Sequence, residues 1–292
     1  MTTIPQTRFA WLVSYPKSGN TWMRMMLHAL HHGKLRINAN HDVHIFNRNE
    51  FEHHMGFESS DLTQEEIDLA RPEAYRAMAR NLPDCLLLRK VHDRYWKNAA
   101  GEPVFPADVS KGAIYIVRDP RDVAVSYAHH SASDIEAIID GLADPNETID
   151  QSTTALVSKF SQPLGHWSEH VTSWLDQTEI PVLLVRYEDM LQDATRELMR
   201  VAEFLDLPKA GDEEACARAA AASSFENLRA QEEKKDFVER ATLATRFFRS
   251  GRSGEGLEVL PAPLLEKVER DHGKVMRRLG YRTDARERHM SH

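Results

Sequence analysis

Four short, nearly unbroken apolar runs, separated by longer amphipathic stretches, constrain this chain most. The runs are Phe9–Ser14, Cys85–Lys90, Ala113–Arg118 and Pro181–Tyr187. A strand with one face in water alternates apolar and polar residues, whereas a parallel strand covered on both faces does not. Helical patterns fall between the runs. One opens at Thr63, with Glu66 placed to complete a capping box, and another at Asp119-Pro120, with proline at the first helical position. Others cover Gln151–Phe160, Leu164–Leu175, Thr195–Leu205, Glu213–Ala222 and Pro263–Leu279. This alternation predicts a three-layer α/β/α fold around a central parallel sheet. A length of 292 residues suits a single domain, with a core from about 9 to 281 and a polar tail. Gly33–Glu58, Asp140–Ile149 and Asp236–Gly256 read as loops, and no internal repeat is evident.

Ligands of such sheets sit at the carboxyl ends of the strands. There the first run passes through Tyr15-Pro16-Lys17-Ser18-Gly19-Asn20-Thr21-Trp22 into a helical stretch, Met23 to His31. A strand, a tight turn and a helix start make an anion site, because free N–H groups and the helix dipole point at the guest. Lys17 adds charge, and Ser18, Asn20 and Thr21 add hydrogen-bonding side chains. An ordinary nucleotide loop places lysine after its last glycine and a hydroxyl next to it for Mg²⁺. Here Lys17 precedes Gly19, and Gly-Lys-Ser/Thr occurs nowhere, so an anion held without a metal is expected. A second candidate ends the third run: Arg118 offers a planar fork to a phosphate, and Ser126 lies about two helical turns further on. The competing reading pairs Arg118 with Asp119 or Asp122.

The net charge of −8 argues against a general nucleic-acid or anionic-membrane binder, so basic groups must be concentrated locally. Cys85 and Cys216 lie far apart, which fits buried thiols in a reducing compartment and excludes a cysteine-built zinc site. The start lacks the pattern of a secretory signal, and no run of about 18 apolar residues occurs. A cytoplasmic protein without stable membrane insertion is the expectation.

The first loop, followed by Arg118-Asp119-Pro120-Arg121-Asp122-Val123-Ala124-Val125-Ser126-Tyr127, resembles the two cofactor signatures of the sulfotransferase family. The likeness extends to Arg89-Lys90-Val91-His92, Arg186-Tyr187-Glu188-Asp189-Met190, Ser223-Ser224-Phe225 and Phe247-Phe248-Arg249-Ser250-Gly251-Arg252-Ser253-Gly254. It implies a P-loop-like sulfotransferase fold and 3′-phosphoadenosine 5′-phosphosulfate as donor, with no metal. By this resemblance His92 is the base, and Lys17 and Lys90 stabilise charge. Ser18, Gly19, Asn20, Thr21 and Trp22 hold the 5′ side and the adenine. Arg118, Ser126, Arg249, Ser250 and Gly251 meet the 3′-phosphate, while Tyr187, Ser223, Phe225 and Phe248 complete the nucleotide site. The acceptor is a small or conjugated hydroxyl compound, or an amine, and a homodimer is left open.

Several positions depart from the family pattern. Val91 and Asn20 each replace threonine, Ser250 replaces lysine, and Glu255-Gly256-Leu257 lacks the usual Trp-Lys, with Arg252 offered as replacement charge. Among 15 histidines, His166-Trp167-Ser168-Glu169-His170 also fits an inverted zinc-protease motif. The same stretch resembles a sulfotransferase helix, in which His170 faces the acceptor. His41/His44 and His53/His54 read as polar loop residues, and Met23, Met25 and Met26 as core. Two further functions remain open: a Mg²⁺-dependent nucleotide kinase or other phosphoryl transferase, and a catalytically silent nucleotide-binding protein.

Overall fold

Alternate residues of Arg8–Ser14 (β1) are buried in two different clusters, and this sets the layers. Phe9, Trp11 and Val13 enter one core, while Ala10 and Leu12 enter another on the opposite face. The computed structural model describes residues 8–38, 46–150, 158–240 and 246–283. Strands Leu86–Val91 (β2), Ser110–Val117 (β3), Thr148–Ile149 (β4), Gln162–Pro163 (β5) and Val182–Arg186 (β6) follow β1. The main sheet runs β2-β1-β3-β6, all parallel, with Trp11 beside Arg89 on one side and Ala113 on the other. The short β4 and β5 pair antiparallel apart from it.

The helices are Asn20–His32 (α1), Arg48–Met55 (α2), Gln64–Asn81 (α3), Pro120–Ser131 (α4), Ile135–Ala143 (α5) and Trp167–Leu175 (α6). They continue with Tyr187–Gln192 (α7), Ala194–Phe204 (α8), Glu213–Ala222 (α9), Phe225–Lys234 (α10), Glu255–Val259 (α11) and Ala262–Arg278 (α12). One core packs β1 and β3 residues against Phe51, Tyr75, Trp167, Trp174 and Met276, from α2, α3, α6 and α12. The other packs Leu12 and Ile116 against Met23 and Met26 of α1, Leu198 of α8 and Cys216 of α9. The expected three layers are therefore present, because the four apolar runs bury both faces. A third, smaller cluster joins Met25 and Ile37 to Leu228, Phe237 and Phe248, and it closes the cavity described below.

Thr63 and Glu66 form the expected capping box, and Pro120 opens α4. Met23, Met25 and Met26 are core residues. Other expectations need correction. The stretch Gly33–Glu58 contains helix α2, whose Asn47 caps the N–H of Glu50 and whose Gly56 closes its end at φ 76. It buries only Phe51, so its apolar signal is weak. His53 and His54 lie in its last turn, while His41 and His44 fall outside the described residues. The segment Asp140–Ile149 holds the end of α5 and strand β4. Most of Gln151–Phe160 is outside the described residues, and Lys159 pairs with Asn47 in an isolated bridge rather than a helix. Helix α6 starts at Trp167, because Gly165 turns the chain at φ 61 and the His166 ring caps the N–H of Glu169. Cys85 is exposed, not buried, since it precedes the edge strand β2. No described helix is long and apolar enough to cross a membrane.

Candidate active site

The carboxyl ends of β1, β2 and β3 open onto one cavity of about 660 Å³. The turn after β1 places Lys17 in the left-handed region at φ 69, followed by Gly19 at φ 106. A side chain at Gly19 is excluded twice, by that φ and by the Tyr187 ring, which a Cβ would meet at 2.7 Å. As N-cap of α1, Gly19 supplies no side-chain acceptor to the first turn, so an external anion can take that place.

Lys17 and Lys90 both line the cavity. Burial lowers the Lys17 ammonium from 10.5 to about 7, helped by the neighbouring charges of Lys90 and Arg118 and opposed by Glu239. Burial likewise lowers Lys90 to about 8, while Glu239 pulls it upward. The Lys17 ammonium also stands 4.4 Å over the Phe247 ring.

His92 follows β2 and lines the same cavity. Its Nδ1 lies 2.7 Å from the Ser14 carbonyl oxygen, which only accepts, so Nδ1 carries the proton and the neutral ring keeps a lone pair on Nε2. Burial holds its pKa well below 6.5, Lys90 lowers it further, and the Ser14 bond acts in the opposite sense. Behind it, His170 Nε2 donates to the His92 carbonyl at 2.9 Å, and Tyr115 donates to His170 Nδ1 at 2.7 Å. His170 is thus fully buried as a brace for the His92 backbone and does not face the acceptor side. With His166 acting as the α6 cap, each histidine of the zinc-like motif has a structural use.

Arg118 leaves β3 buried, 4.4 Å over the Tyr187 ring. Its guanidinium donates to the carbonyls of Lys17 at 3.3 Å and Arg252 at 3.0 Å, tying the first loop to the late one. Asp122 lies 3.8 Å away, while Asp119 binds Arg121 instead. Asp122 accepts the N–H groups of Gly254 and Gly256 at 2.8 and 2.7 Å, so α4 fastens the late loop. At the other end of that loop, Glu232 accepts the N–H groups of Phe247 and Phe248. Gly251, at φ 64, rests against Phe225, whose ring a Cβ would meet at 2.3 Å.

The structure gathers Lys17, Gly19, Asn20, Thr21, Trp22, Lys90, His92, Arg118, Ser126, Tyr187, Phe225, Phe248, Arg249, Ser250 and Gly251 around one cavity. Ser18 and Ser223 are buried outside this lining; the Ser223 carbonyl accepts Trp22 Nε1 at 2.9 Å. Asn20 turns its amide inward, donating to the Leu12 carbonyl at 2.9 Å and Ser14 Oγ at 3.4 Å. Its side-chain donor braces the strand end rather than reaching a guest. Arg249 is held by Glu255 through two bonds of 2.7 and 2.5 Å, and Arg252 pairs with Glu258 rather than supplying charge to the cavity. The sequence reading passed over His130, Asp150, Lys159 and Glu239, which also line it. Burial, Lys17 and Lys90 lower His130 to about 4.

Residues 8–280 match a family model described as Sulfotransferase domain. Mouse sulfotransferase 1E1 is 28% identical over 199 residues, 67% of this chain and 58% of the relative. The chain thus spans less than two thirds of that relative's length. Human sulfotransferase 1E1 is 25% identical over 284 residues, 94% of this chain and 86% of the relative. Among solved structures, retinol dehydratase in complex with androsterone and the inactive cofactor PAP aligns at a TM-score of 0.60. It is 20% identical, with 94% of this chain and 82% of that one covered. Mouse sulfotransferase SULT7A1 complexed with PAP aligns at 0.56, with 21% identity and coverage of 92% and 85%. At such identities the structural likeness speaks for the fold alone.

Proposed function

The chain belongs to the sulfotransferase domain family, and from that premise we propose that it transfers a sulfuryl group from 3′-phosphoadenosine 5′-phosphosulfate to an acceptor hydroxyl. One observation carries the reading. A single cavity is lined at once by Lys17, Lys90 and His92 and by Arg118, Ser126 and Gly251, so two cationic regions face one guest. That arrangement fits a nucleotide carrying anionic groups at both ends. The first turn of α1 lacks a side-chain cap, which adds main-chain donors to the first region. The donor supplies an activated sulfuryl group on a phosphate leaving group.

The protein's own groups then have distinct tasks. Lys17 and the α1 N-terminus stabilise the charge that develops on the leaving phosphate. Lys90 steadies the oxygens of the moving group. His92, neutral with its Nδ1 proton committed to Ser14, takes the proton of the acceptor hydroxyl on Nε2. Arg118 and Ser126 hold the remote phosphate, and Trp22 and Phe225 flank the base. Lysine, arginine and main-chain N–H groups supply the positive field, and this sulfotransferase domain works in the cytoplasm without nucleic-acid partners.

The test is calorimetric titration with 3′,5′-bisphosphoadenosine at low salt, followed by incubation with the sulfated donor and an acceptor panel read by mass. Micromolar binding and addition of one sulfuryl group to a hydroxyl compound are expected. No binding of the bisphosphate, or turnover abolished by a chelator, overturns the reading; the second result favours a Mg²⁺-dependent phosphoryl transferase.

A further inference from the structure

Glu239 lies in the lysine region of the cavity, where the charge of the proposed guest is of its own sign. Both its carboxylate oxygens lie 2.7 Å from Arg24 Nη2. Oε2 also lies 3.4 Å from Lys90 Nζ and 3.4 Å from Thr21 Oγ1. Arg24 is buried, at 2% exposure, whereas Glu239 keeps 29% and so retains a route to solvent. Burial pushes the Glu239 carboxyl upward, but Lys90 and Arg24 outweigh it and bring the group to about 2. It is therefore a full anion at any working pH, seated on two of the groups assigned to the donor.

We propose that Glu239 is a specificity-determining residue whose carboxylate fills the sulfuryl subsite on Lys90 and Thr21 whenever no sulfuryl group is there. The inference rests on the donor assigned above. A carboxylate and a sulfuryl end each bring one negative charge, and Lys90 and Thr21 cannot serve both. The sulfated donor must displace Glu239. The desulfated nucleotide lacks the group that would collide, so it binds with Glu239 in place. Glu239 consequently biases the site toward the product nucleotide and away from the donor. Repulsion of a competing like charge is a common source of discrimination.

The test compares dissociation constants of the donor and of 3′,5′-bisphosphoadenosine, without acceptor, for the wild-type chain and Glu239→Gln. The variant is expected to raise donor affinity relative to bisphosphate affinity roughly tenfold, the scale of one charged hydrogen bond. A ratio unchanged from wild type overturns the role of Glu239 while leaving the proposed function intact. Failure of the wild-type chain to bind either nucleotide overturns the proposed function itself. Because Glu239 neutralises a buried arginine, the variant can lose stability, and a second measurement uses the wild-type chain. Amide exchange at Val238, Glu239 and Arg240 is expected to rise with the donor and not with the bisphosphate. Equal exchange with both ligands overturns the assignment.

Discussion

The lysine end and the guanidinium end of the cavity are built on different physical terms. Around Lys17 and Lys90, burial above all brings the ammonium groups down to about 7 and about 8, helped by Lys90 and Arg118 at the first and by Arg24 and Lys159 at the second. Around Arg118 and Arg249, planar forks stack on Tyr187 or lock bidentately onto Glu255. An ammonium in such a place is a responsive charge, strengthened when an anion arrives. A stacked guanidinium is a fixed one, suited to holding and aligning. The contrast teaches that the proposed chemistry belongs at the lysine end and the grip at the arginine end.

Three experiments break or sharpen that contrast. The largest effect is expected for His92→Ala, which removes the proposed base beside the lysines. Turnover should fall about a hundredfold or more, with bisphosphate affinity retained. Wild-type turnover would remove His92 from the mechanism, and a matching loss of affinity would make it a binding residue. Arg118→Met should do the opposite, weakening bisphosphate binding by roughly ten- to a hundredfold with a smaller change in kcat. A loss confined to kcat would reverse the division of labour. The smallest effect is in pH. A bound anion raises the pKa values of Lys17 and Lys90 toward 10.5, so binding takes up protons wherever the empty-site lysines have begun to lose theirs. Once the ligand's own phosphate titration near pH 6 is allowed for, bisphosphate affinity should begin to fall close to pH 7 and approach a loss of about tenfold per unit well above it. Lys17→Met should flatten the first part of this decline; an unaltered profile would show that Lys17 does not carry it.

The parts of this design that lie within one strand–turn–helix unit were legible in the sequence. The four apolar runs became the four sheet strands to within a few residues, because strands buried on both faces leave an unbroken signal. Lys17, Lys90, His92 and Arg118 each sit at or just beyond a strand end, and the parallel order brings those ends together. What escaped were the acidic partners. Arg24 interrupts an apolar helix face, and a buried arginine demands a carboxylate. Nothing local says that the partner is Glu239, 215 residues away. Glu255 was read as a missing Trp-Lys rather than as the clamp on Arg249, and Asn20 as a ligand rather than a brace. Helix α2 was hidden by its single buried residue, Phe51. Long-range pairing and the direction a polar side chain takes are set by packing, which periodicity does not encode.

The tethering of His92 has a consequence for the order of events. Its imidazole is fastened to the first strand through Ser14, and the main chain behind it is fastened through His170. A ring held at Nδ1, on a main chain that is itself held, keeps its Nε2 aimed in one direction. In the proposed reaction, the hydrogen taken from each acceptor would leave by the doorway through which that acceptor came. In that reaction, departure of the sulfated compound and resetting of the imidazole therefore form one gated step, and a bulky product slow to vacate the doorway would also keep the imidazole protonated and unready for its next round.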